Sequence, residues 1–190
     1  MTNVAATTDD HSVHFRHLAD IVRNNLENQQ DWTQLRVHLS HDDDGADRVD
    51  PGQRARSRPP RILLSGLPPR RLYIHPDEQI EIFRAERALG NGRRIPQPPE
   101  YEWVLPMHLA ETPSVGQFAA VFDVMDALPP GATASLDGAD SRSPNEDGDA
   151  QWKQWRRAKR GKRLLLAVVQ DDSSVVYYMM HDGIVKPRQN

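Results

Sequence analysis

Hydrophobic positions along the chain fall into four blocks separated by polar or proline-rich stretches. In the first, Val13, Leu18, Ile21, Val22 and Leu26 approximate the i, i+4, i+7 face of an amphipathic helix, which predicts a helix over residues 13–28 with Ser12 as its cap. Leu35, Val37 and Leu39 then alternate with polar residues and predict a strand over 32–39. In the second block, Ile62–Leu64 is a short apolar run, Ser65-Gly66-Leu67-Pro68-Pro69 is turn punctuation, and Leu72-Tyr73-Ile74 predicts another short strand. His75-Pro76 opens a predicted helix, because proline loses no hydrogen bond at the first helical position and Asp77 and Glu78 suit the positive end of the helix dipole. Ile80, Phe83 and Arg87 lie on one face of that helix, which should stop near Gly90-Asn91-Gly92.

The third block opens with a predicted strand at Tyr101–Leu105. Thr112-Pro113 predicts the next helix start, and Phe118, Val121, Phe122, Met125 and Leu128 keep the helical period until Pro129-Pro130-Gly131. The fourth block holds two β-type runs, Leu164–Val169 and Val175–Met180, joined by Gln170-Asp171-Asp172-Ser173-Ser174, the pattern of a β-hairpin. Strands interleaved with helices predict one mixed α/β domain. We expect a disordered stretch at 1–11, a single domain over 12–187 with flexible loops at about 40–60 and 131–150, and a tail at 188–190.

The last strand makes a physical demand. Val175, Tyr177 and Met179 fall on one face and Val176, Tyr178 and Met180 on the other, and neither face is polar. Such a strand needs cover on both sides. Two readings follow: a central strand covered by the chain's own helices, or a terminal edge strand covered or paired by another subunit.

Composition narrows the class. The 190 residues are 37% hydrophobic and 27% charged, and the mean hydropathy is −0.71. That is poorer in apolar residues than a compact domain and agrees with acidic and basic insertions around one core. There is no cysteine, which excludes a disulfide framework, a thiolate metal site and a cysteine nucleophile. No run approaches the ~18 apolar residues of a membrane helix, and Met1 to Asp10 lacks the basic and apolar regions of a secretory signal, so an intracellular protein without membrane insertion is expected.

The net charge of −3 hides local blocks. Asp42, Asp43, Asp44, Asp47 and Asp50 are followed by Arg54, Arg56, Arg58 and Arg61, and Asp137, Asp140, Glu146, Asp147 and Asp149 form a second acidic stretch. Both have too few apolar residues to repay the entropy of ordering. Residues 151–163 then carry seven cations and no acid, with Trp152 and Trp155 among Lys153, Arg156, Arg157, Lys159, Arg160, Lys162 and Arg163. As a helix, this segment would put both tryptophans toward the core. The cations are then either a solvated rim or a phosphate-attracting RNA surface, for which Lys153, Arg156, Arg157, Lys159 and Arg160 are the candidates. The chain has no glycine-rich phosphate loop, no HExxH and no GxSxG, so neither a cofactor nor a metal is expected. His11, His14 and His17 recur at helical spacing without a carboxylate placed to complete a metal site.

Several strings carry a resemblance. Leu164-Leu-Leu-Ala-Val-Val, Asp171-Asp172-Ser173-Ser174, Val175-Val-Tyr-Tyr and His181-Asp182-Gly183-Ile184-Val185-Lys186-Pro187 resemble the fungal tRNA-splicing endonuclease accessory subunit, the Sen-fifteen family. Leu63–Pro69, His75-Pro76-Asp77-Glu78-Gln79 and Trp103-Val104-Leu105-Pro106 look like the same family, so that the likeness spans roughly residues 60–187. The resemblance implies a tRNA-intron endonuclease catalytic-domain-like fold. It also implies a heterotetramer of two cutting and two structural subunits acting on pre-tRNA, in the nucleus or at the cytosolic face of mitochondria. The cutting subunits leave a 2′,3′-cyclic phosphate by means of a tyrosine, a histidine about ten residues later and a lysine before a Leu/Val-rich strand. Here only the lysine has a counterpart, Lys162 or Arg163: Tyr101 is followed ten residues later by Glu111, and Tyr73 by Phe83. The fold and the assembly carry over, and no catalytic residue does. In the family an acidic hairpin turn enters a basic groove of an opposing subunit, and the last strand pairs with a cutting partner. Asp171 and Asp172 match the turn, and Val175, Val176, Tyr177, Tyr178 and Met179 match the strand.

Two other functions stay open on the residues alone. One is an autonomous RNA endonuclease using Tyr101, His108 and Lys162; the other is a plain RNA-binding module working through residues 151–163.

Overall fold

The computed structural model describes residues 5–39, 60–130, 132, 151–156 and 159–183, and of these the side chains from residue 13 onward except that of Gln151. The expected loop at 40–59, nearly all of the insertion at 131–150, Arg157 and the terminal residues lie outside this set. Among the described residues the chain forms helices α1 (Ala5–Asn28), α2 (Pro76–Leu89) and α3 (Val115–Val124) and strands β1 (Thr33–His38), β2 (Leu63–Leu67), β3 (Glu102–His108), β4 (Arg163–Val169) and β5 (Val175–His181). The strands make one five-stranded sheet in the order β1-β2-β3-β4-β5. All pairs are antiparallel except β3–β4, which is parallel and bridged by the stretch containing α3.

Alternation along β3 and β4 builds a core on each side. Val104, Leu165, Ala167 and Val169 face α1 and pack with Leu18, Ala19, Val22, Leu26 and Trp32. Trp103, Leu105, Met107 and Leu164 face the other way and pack with Val121, Phe122 and Met125. Strands covered on both faces lose the polar alternation of a half-exposed strand, which explains the continuous apolar run of β4. Each buried Leu or Val of α1 contributes roughly 1.5–3 kcal/mol.

Several elements differ from the pattern. Helix α1 begins at Ala5, eight residues before Val13 and inside the stretch expected to be disordered. Its first turns hold no large apolar residue after Ala6, so the hydrophobic period cannot see them. Once the buried face has nucleated the helix, adding residues to its end is easy. Ser65 and Gly66 are strand rather than turn. Gly66 is required by close approach, because a Cβ there would lie 2.6 Å from Leu35 Cδ2. Strand β3 runs past Leu105 and Pro106 to His108, since pairing with β4 continues to His108–Val169 after the β2 ladder has ended.

Leu72-Tyr73-Ile74 is not a strand. Arg71 and Tyr73 in this stretch instead engage Glu78 and the end of β5. Helix α2 has His75 as its N-cap, with Nδ1 accepting from Asp77 N at 3.2 Å. Its buried residues are Glu78 and Ile82, whereas Ile80 is 49% and Phe83 59% exposed. The expected Ile80/Phe83 face is therefore the outer one, because α2 packs through Ile82 and the Glu78 ion pair. Helix α3 is capped by Ser114, not Thr112. Gln117 N donates to Ser114 Oγ and Ser114 N donates to Gln117 Oε1, which is a capping box. The helix ends at Val124, and Met125 is buried just beyond it. No helix among the described residues is long and apolar enough to cross a membrane.

Candidate functional site

Strand β5 is an edge strand. It pairs with β4 from Val169–Val175 to Arg163–His181, and its outer backbone faces no other strand of the sheet. Its two apolar faces have different fates. Val175, Tyr177 and Met179 pack against the α1 core, and Tyr177 Oη donates to Asn25 Oδ1 at 2.6 Å. Burial pushes the Tyr177 hydroxyl well above the usual phenol range. Val176 is 40% and Tyr178 56% exposed on the opposite face, beside the half-buried Met180. The expected interface residues therefore divide. Val176 and Tyr178 point outward, while Val175, Tyr177 and Met179 are held by the chain's own helix. A charge at Tyr177 would damage the fold before it reached any partner.

The hairpin turn is closed by Gln170 N donating to Ser174 O at 3.0 Å, with Ser173 in the left-handed region at φ 64°. Asp171 is almost fully exposed and meets His108 Nε2 at 3.0 Å. Asp172 accepts from Ser174 N at 2.9 Å, and its bonds to Ser174 hold its carboxyl below the ordinary value. The acidic turn thus projects from the end of the sheet.

The basic segment is arranged differently from the expected helix. Among its described residues Gln151–Arg156 is helical, as a 3-10 turn packed on α2. Trp152 and Trp155 belong to neither core cluster. Trp155 Nε1 donates to Glu81 at 3.0 Å and its ring stacks on His75 at 4.2 Å. Arg156 donates to Gln97 Oε1 at 2.8 Å and lies 4.9 Å from the Trp152 ring. Arg160 is buried. It bonds Glu100 and Glu102 and donates to the carbonyls of Ala127 and Tyr101 at 3.0 and 2.9 Å. This corrects the RNA-surface set: Arg160 is turned into the protein because carboxylates await it there, and Arg156 is engaged beside it. Lys153 and Lys159 stay exposed. The sequence hides this because Glu100 and Glu102, the partners, stand about sixty positions earlier.

Arg160 belongs to a larger buried network. Arg71 grips Glu78 with two bonds of 2.8 Å and reaches Glu100 at 3.0 Å. Arg163 bonds Glu102 at 3.0 Å and Glu100 at 2.9 Å, and Arg156 lies 3.8 Å from Glu78. Four guanidiniums thus face three carboxylates. Burial pulls both Arg160 and Arg163 down. For Arg160 burial prevails over the attraction of Glu102, whereas the bonds and charges of Glu102 and Glu100 leave Arg163 above its ordinary value.

A cleft of about 160 Å³ opens beside this network, lined by Tyr73, His75, Trp155, Lys162, Arg163 and His181 among others. The Tyr73 ring lies 4.6 Å from the His181 ring, and the Arg163 guanidinium 5.2 Å from the Tyr73 ring. Lys162 Nζ donates to Phe122 O at 2.7 Å. Tyr73, His75 and Lys162 stand in separate patterns along the chain and meet only in the fold. A tyrosine two positions before a capping histidine is the one local signal of their meeting.

The other proposed trio does not assemble. The Tyr101 ring is buried and its hydroxyl bonds Gln34. Lys162 stands at the start of β4, whereas His108 pairs with Val169 at its far end. Five register steps separate Trp103–Leu164 from His108–Val169, or roughly 17 Å at strand spacing.

Comparison with known proteins agrees with the hairpin and the strings around it. The sequence pattern of the family described as Sen15 protein matches residues 21–136 and 149–190. A probable tRNA-splicing endonuclease subunit, tsp-1 of Neurospora crassa, is 54% identical over 177 residues, covering 93% of this chain and 67% of that protein. A probable tRNA-splicing endonuclease subunit, sen15 of Schizosaccharomyces pombe, is 33% identical over 89 residues, covering 47% of this chain and 50% of that protein. With most of its length matched by the family pattern, the chain belongs to the Sen15 protein family.

Proposed function

We propose that this chain is a non-catalytic structural subunit of the tRNA-splicing endonuclease, built on a tRNA-intron endonuclease-like fold and placed in a heterotetramer that excises introns from pre-tRNA. The names of its relatives support membership of that complex. One structural observation carries the interface. Among the described residues strand β5 is an unpaired edge whose Val176 and Tyr178 stand exposed, a combination that a partner strand would pair and cover. The exposed Asp171 and Asp172 at the adjoining turn suit a basic groove on an opposing subunit. Lys153 and Lys159 add cations to the RNA-facing surface. The complex works in the nucleus or at the cytosolic face of mitochondria.

The non-catalytic role is supported by the separation of His108 from Lys162 and by the burial of Tyr101, which leave no proton relay among those three. The test is co-purification with a cutting subunit. Tyr178→Asp should abolish capture while changing the stability of the chain alone by less than about 0.5 kcal/mol. Undiminished capture by that variant overturns the interface. Purified alone, the chain should leave pre-tRNA intact, and metal-free cleavage by it overturns the non-catalytic role.

A further inference from the structure

The cleft beside the ion-pair network adjoins the end of β5 at His181, away from the exposed Val176 and Tyr178, and asks for a ligand of its own. The Tyr73 hydroxyl is buried in its wall with no hydrogen-bond partner, although a buried hydroxyl without one is unfavourable. His75 Nδ1 accepts from Asp77 N, so in the neutral ring Nε2 carries the proton and is a donor. The Lys162 ammonium spends one donor on Phe122 O and has two more. Of the two acids in the lining, Glu78 is held by both nitrogens of the Arg71 fork and Asp182 stands exposed at the rim. In the lining itself Lys159, Arg160, Lys162 and Arg163 stand against Glu78 and Asp182. The space exceeds that of several waters, enough for a tetrahedral oxyanion.

We propose that this cleft binds a phosphate group, with the Tyr73 hydroxyl, the Lys162 ammonium and the His75 and His181 rings as its donors. An acceptor oxygen is what the unpaired hydroxyl lacks, and a negative ligand is what the cation surplus favours. The inference does not depend on the subunit assembly, because every group it uses comes from this one chain.

The full-length chain tests it with three probes: inorganic phosphate, a nucleoside 5′-monophosphate and a short single-stranded RNA. Binding is followed by calorimetry and by the ring proton signals of His75 and His181. Saturable binding that moves both histidine signals is expected. Comparable binding of all three probes assigns the site to a free or terminal phosphate; tighter binding of the RNA assigns it to a backbone phosphodiester. Tyr73→Phe should weaken the bound probe about tenfold and leave the melting temperature equal or higher, because it removes a hydroxyl that bonds nothing in the empty protein. Lys162→Gln should weaken it as well. No saturable shift with any probe, or affinity undiminished by Tyr73→Phe, overturns the site.

Discussion

Two neighbouring regions invert the usual distribution of residues. Around the start of β4, Arg160, Arg163, Glu100 and Glu102 are buried. Roughly 10–17 Å along the same hairpin at strand spacing, Val176 and Tyr178 face solvent. Charge lies inside and apolar surface outside, so hydropathy alone does not decide burial here. The guanidiniums are buried because each finds a carboxylate within bonding distance. The apolar pair is exposed because the sheet ends at β5 and, of this face of the strand, only Met180 packs on the cluster built by α3. The first arrangement is complete within one chain and the second is not.

If that contrast is right, the two regions must respond oppositely to substitution. Glu102→Leu deletes the carboxylate shared by Arg160 and Arg163 and leaves buried cations short of a partner. It should lower stability by about 3–5 kcal/mol, the cost of breaking a buried pair from one side. Urea denaturation measures it. A loss below about 1 kcal/mol would mean that water reaches the network and screens its charges.

The two adjacent tyrosines of β5 sharpen the comparison within a single strand. Tyr177→Phe removes the bond to Asn25 from a half-buried site and should cost about 1 kcal/mol. Tyr178→Phe alters an exposed side chain and should stay within about 0.5 kcal/mol of the parent. Equal losses would indicate that β5 is not divided into an inner and an outer face.

The parts of the molecule that the sequence makes legible follow from the same physics. The α1 face from Leu18 to Leu26 and the strand at Trp103 are local patterns whose cover lies in this chain, the hairpin is two apolar runs joined by a short polar turn, and periodicity finds all three. The basic segment misleads because its charges look solvated until Glu100 and Glu102 are brought next to it. Helix α2 misleads in the same way: Ile80 and Phe83 mark an apolar face, but the Glu78–Arg71 pair sets which side goes in. Periodicity records hydrophobic burial and is blind to burial driven by ion pairs. The cleft escapes for a related reason, since Tyr73, His75, Lys162 and His181 come from three separate segments and none is unusual alone.

The smallest effect expected links the two regions through His181, the last residue of β5. Its register partner is Arg163. Burial lowers the His181 pKa, and the neighbouring Arg163 guanidinium and His75 ring lower it further. A histidine held below its unfolded value contributes stability that is present above the unfolded pKa and is lost as pH falls through the folded one. Melting temperature should therefore decline as pH drops below about 6.5, where the unfolded ring takes up its proton and the folded ring resists. His38 adds to the same acid limb, since its burial and Arg36 also lower it. His181→Gln should flatten part of that decline and leave the His38 part standing. An unchanged acid limb in that variant would show that the buried cations do not reach the end of the hairpin, and that the two regions are energetically separate despite sharing a strand pair.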